Sequence, residues 1–60
     1  MDAFISDLFF NFVDYESRRV RKLINKSFVG DLAGSFSKAL QDCGKEVKPE
    51  ELREDFFSRL

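Results

Sequence analysis

The sequence predicts a small all-α protein of three helices, antiparallel as a hairpin or bundle, and two patterns carry that expectation. Apolar residues recur at the three-to-four-residue spacing of a helix. The breaks between periodic runs fall at residues that start or stop helices, namely Ser27, Gly44 and Pro49. The connections left between the runs are short, as in helix bundles.

The first helix is expected over roughly residues 3–25. At 100° per residue, the apolar positions from Phe4 through Leu8, Phe9, Phe12 and Val13 to Leu23 and Ile24 share an arc of roughly 200°. Asp7, Asn11, Asp14, Arg18, Arg21, Lys22 and Asn25 lie opposite. The phase is continuous from Phe4 to Ile24, which favours one long helix over two short ones. Phe10 alone among the early aromatics falls on the polar side.

A second helix is expected over roughly 28–43. Phe28, Val29, Leu32, Ala33, Phe36, Leu40 and Cys43 share a face, and the Ser27 hydroxyl is placed to accept a free first-turn N–H. Gly44 is placed to end this helix in the left-handed conformation. The third helix is expected over roughly 49–59. Pro49 suits its first turn, Glu50 and Glu51 complement the positive end of its dipole, and Leu52, Phe56, Phe57 and Leu60 form its apolar side.

Eight phenylalanines in sixty residues give the chain its character. Each ring carries a large apolar area, and a chain of this length must bury them internally or share them with a partner. A domain this small hides only about 60% of the surface of its unfolded chain, so a homodimer of single-domain chains spanning residues 1–60 is expected. Phe4, Leu8, Phe9 and Phe12 are candidates for its seam or for docking into a partner's groove. Phe10 and Phe57 sit off or at the edge of their apolar arcs and are candidates for an exposed aromatic patch.

Charge narrows the functional classes. Ten basic and eleven acidic residues give a net charge of −1, which offers no global attraction to nucleic acid or anionic membrane. Locally, Arg18, Arg21, Lys22 and Lys26 line one side of the long helix expected here. That stripe could track the phosphates of a duplex, doubled in a dimer and blind to sequence. The plainer reading is a solvated helix end whose cations complement the dipole, with Asp14 paired to Arg18 and Glu16 to Arg19. An interfacial membrane helix fits less well, because Asp7 and Asp14 occupy the polar face where such helices carry lysine and arginine.

Two motif resemblances fail on spacing. The stretch from Ala39 to Leu52 has the outline of a helix-turn-helix. Its turn is too long, and Glu50, Glu51, Glu54 and Asp55 would be repelled from a major groove. The same stretch lacks the alternating Asp/Asn ligands of a calcium-binding loop, with Gly44 and Glu46 where two of them belong.

With no histidine, one cysteine and no glycine-rich phosphate loop, neither catalysis, a metal nor a cofactor is expected. Cys43 alone cannot form an internal disulfide, which points to a reducing, intracellular (cytoplasmic) setting. No apolar run is long enough to span a bilayer, and the opening segment, interrupted by Asp2 and Asp7, does not read as a signal peptide. The expectation is a non-enzymatic helical regulator acting by association with itself or a larger protein, with shape-reading nucleic-acid binding as the alternative.

Overall fold

The structure, a computed structural model, describes residues 1–60. Three helices pack together with no strand: α1 (Ala3–Val20), α2 (Lys26–Asp42) and α3 (Pro49–Ser58). Asp2 caps α1, its carboxylate accepting from the Phe4 N–H at 2.9 Å. Pro49 opens α3 with Glu50 and Glu51 in its first turn, as expected. Gly44 adopts a positive φ of 85°, and the Lys45 N–H donates to the Leu40 carbonyl at 2.8 Å, so this glycine closes α2 in the way its position predicts.

The end of α1 differs from expectation. The helix stops at Val20 rather than near residue 25, because Arg21 turns left-handed (φ 55°, ψ 47°) and the Lys22 N–H reaches back to the Ser17 carbonyl at 3.1 Å. The cap of α2 moves with it. Asn25, not Ser27, is extended at the boundary and accepts from the Phe28 N–H at 2.8 Å, so Ser27 lies inside the first turn. Helical period identifies which side chains would share a face, but it does not require the helix to continue. Reversing at 21–25 lets Val29 and Ala33 reach the core, where neither retains any exposure. The reversal leaves Leu23 outside, 87% exposed.

Seven residues form the core: Ile5, Phe9 and Val13 from α1, Val29 and Ala33 from α2, and Leu52 and Phe56 from α3. The α1 contribution recurs every four residues, one row along the helix. Around this core the aromatic rings interlock. Phe9 meets Phe36 at 5.2 Å and Phe56 edge-on at 6.1 Å, Phe12 stacks on Phe36 at 5.3 Å, and Phe10 and Phe57 each lie against Phe56. Phe10 and Phe57 are therefore half-buried, not an exposed pair. Phe10 stands on the polar side of the α1 wheel, but α3 crosses there and covers it.

Helix α3 runs back along α2, its closest neighbour. Gly30 lies near Arg53 at one end, and at the other the Ser37 hydroxyl donates to the Val47 carbonyl. Helix α1 crosses both. A polar clamp joins it to α3: the Ser6 hydroxyl donates to the Asp55 carboxylate, and Arg59 donates to the Ser6 oxygen at 2.8 Å. Arg59 also pairs with Asp7 at 2.8 Å and lies over the Phe10 ring, 5.0 Å from its centroid.

Candidate interaction surfaces

The broad apolar arc of α1 is only partly used by the fold. Ile5, Phe9 and Val13 point inward, which removes Phe9 from any accessible seam, and Phe12 is taken up by Phe36. What remains is a narrower row on the outside. Phe4 is 67% exposed, Leu8 42% and Tyr15 63%. At the helical angle these three lie within about 40° of one another. Asn11, which the wheel places at the border of the polar side and next to Phe4, is exposed too, and with it they follow the spacing i, i+4, i+7, i+11, the alternating four-and-three step of a coiled-coil seam. Tyr15 belongs to the same apolar arc as the expected interface residues, and this seam spacing is the sequence signal that singles it out. Because Phe12 stacks on Phe36, the row borders the junction of α1 with α2.

The four candidate cations do not form one stripe. Arg18 remains on α1 and pairs with Asp14 at 3.4 Å. Arg21 is the left-handed residue that ends the helix, and Lys22 follows it in the connection. Lys22 lines a shallow hollow with Leu23, Phe28 and Asp31. Lys26 starts α2 and faces a different space, alongside Arg53 and Phe57. The break at Arg21 is the physical reason, since a single face requires continuous helical geometry through all four positions. Arg19, the remaining cation of the cluster, forms a two-pronged pair with Glu16, both bonds at 2.9 Å. The Arg19 hydrogen bond lowers the Glu16 carboxyl pKa below its ordinary value, and the same bond raises that of Arg19.

The cleft that receives Lys26 lies between the first turn of α2 and the last turns of α3. Its volume is about 530 Å³, and Lys26, Arg53, Glu54 and Phe57 line it. Most of its wall is carbon, supplied by the Phe57 ring and the methylene stems of the charged residues. Arg53 is twenty-seven positions from Lys26 in the sequence, and only the return of α3 along α2 brings them together. Elsewhere, no group of three or more cysteine or carboxylate side chains converges to hold a metal ion. No helix is long and apolar enough to cross a membrane, and Cys43 is exposed with a free thiol.

No protein-family model matches the chain, and no curated protein or solved structure shows significant similarity to it.

Proposed function

We propose that the protein is a non-enzymatic interaction module that acts by helix–helix association through the outer face of α1. The observation that carries this reading is the exposed row of Phe4, Leu8 and Tyr15. Seven of the eight phenylalanines are buried in, or packed against, a core made within one chain, and Phe4 is the one left outside it. A row of large apolar side chains at seam spacing, on a helix whose other side is already satisfied, marks a surface that loses free energy while it faces water.

A second copy is the occupant that this face fits. In a two-fold antiparallel pair, Phe4 of one copy lies opposite Tyr15 of the other and Leu8 opposite Asn11. The same arrangement sets Asp2, the N-cap of α1, beside the basic end of the other copy, with Arg18 and Arg19. Opposed helix dipoles favour that direction too. Duplex binding draws less support, because its four cations do not share one continuous helix face.

The test is the molar mass in solution, measured as a function of concentration. The wild type is expected to approach twice the 7.0 kDa of one chain, whereas a Phe4→Ser, Leu8→Ser variant stays at one chain mass with unchanged helical circular dichroism. A wild type that remains at one chain mass at the highest soluble concentration overturns the self-association reading. Association must then be sought with a larger protein.

A further inference from the structure

The cleft between α2 and α3 plays no part in the α1 interface, and its composition is specific. Lys26 and Arg53 both line it, and neither takes part in any of the three ion pairs of the fold. Each surface cation of α1 that pairs does so within a turn of its own helix. These two instead come from different helices and stay free. Lys26 is also the first residue of α2, where the helix dipole is positive. Gly30, one turn further on, lies beside the Arg53 guanidinium, which a Cβ there would meet at an ordinary contact distance of 3.9 Å.

Two further features narrow the ligand. The Phe57 ring, edge-on to Phe56 at 5.3 Å, supplies an aromatic wall. Glu54 adds one carboxylate among the cations. A site for a bare anion or a duplex backbone gains nothing from that carboxylate, which would repel the phosphates. A ligand with one phosphate, a flat ring and hydroxyl or amino donors uses all four groups. We propose that this cleft binds a nucleoside monophosphate unit. Arg53 and Lys26 hold the phosphate, the guanidinium by its paired N–H donors. Phe57 carries the base, and Glu54 accepts hydrogen bonds from the ribose hydroxyls or the base amine. The volume of about 530 Å³ lies within the usual range for a small-molecule site. The unit is either a free nucleotide or one residue of a single strand, because stacking and phosphate pairing serve both.

The test is titration of the isotope-labelled full chain with AMP, adenosine, inorganic phosphate and a single-stranded oligoadenylate at low salt, followed by amide resonances. AMP is expected to shift Lys26, Arg53 and Phe57 saturably and to bind about tenfold tighter than either phosphate or adenosine, as one base–aromatic stack added to a phosphate contact contributes. Arg53→Glu, at an exposed position, should weaken AMP about tenfold, the loss of one charge-assisted pair, with circular dichroism unchanged. Phe57→Leu should erase the advantage of AMP over phosphate, and Glu54→Gln should reduce that advantage while tightening phosphate. Oligoadenylate binding tighter than AMP identifies a strand as the source, and equal binding identifies the free nucleotide. Absence of saturable shifts, AMP no tighter than phosphate, or binding that survives Arg53→Glu overturns the proposal. The Phe4→Ser, Leu8→Ser variant should bind AMP as the wild type does, so this site and the α1 interface stand or fall separately.

Discussion

Phe9 has 1% of its surface exposed and meets rings from both other helices, whereas Phe4, a little over one turn away, is mostly in water. Removing the Phe9 ring leaves a cavity at a point where all three helices meet. Phe9→Ala is expected to cost about 3–5 kcal/mol, comparable with the whole stability of a chain this size at about 0.05–0.15 kcal/mol per residue. Thermal unfolding should show little or no cooperative transition. Phe4→Ala should change the stability of the single chain by less than about 0.5 kcal/mol. Glu16 behaves differently because its role depends on charge. The carboxyl pKa is lowered in the folded chain, so its contribution is complete above the unfolded-state value and disappears as pH falls through the lowered one. The raised pKa of Arg19 places its own loss at strongly alkaline pH. The pair is exposed and its effect small. Thermal midpoints of wild type and Glu16→Gln should differ slightly at neutral pH and converge in acid.

At the scale of the element, α2 carries its own weakness. A Cβ added at Gly34 would meet nothing within 4 Å, so this glycine serves no close packing and only loosens the helix. Gly34→Ala should stabilise the protein by about 1 kcal/mol, a rise of about 4–8 °C in the midpoint of a chain this size. The short α3 depends on its attachments. Arg59 ties its end to Asp7, Ser6 and the Phe10 ring, and Ser6 is also bound to Asp55. Arg59→Ala removes three weak contacts, at a cost of about 1–2 kcal/mol. Amide hydrogen exchange should quicken in α3 before it quickens in α2. The caps tell how far local chemistry can be read. Gly44 and Pro49 act where their backbone preferences place them, since each is decided within a few residues. The end of α1 was not legible in the same way. A left-handed arginine costs about 1–2 kcal/mol, and what offsets it is burial of Val29 and Ala33, which sit on another helix.

The whole molecule measures 31 × 21 × 17 Å with a radius of gyration of 10.6 Å, matching the about 10.4 Å of a compact chain of sixty residues. One copy therefore closes its own core. Its surface of 4416 Å² is nonetheless about a tenth above the roughly 4,000 Å² typical of its mass, and the α1 row is part of that excess. If two copies cover the row, the folded state is linked to association, and the thermal midpoint should rise with protein concentration. The Phe4→Ser, Leu8→Ser variant should lose that dependence. A midpoint independent of concentration in the wild type would place the row's occupant outside the chain's own copies.

Local physics made the three helices legible. Period, Pro49 and Gly44 act through backbone preferences and nearest turns, which the order of residues contains. The distribution of the phenylalanines and cations was decided by tertiary structure alone. On a single helix Phe4, Phe9 and Phe12 are equivalent members of one arc, and only the approach of α2 and α3 separates the two that are covered from the one that is not. Likewise Arg18, Arg21, Lys22 and Lys26 form a stripe only while the helix is continuous. Once the chain reverses at Arg21, Lys26 gains Arg53 as its neighbour. Burial and proximity are properties of pairs distant in sequence, and they take their values when the helices pack.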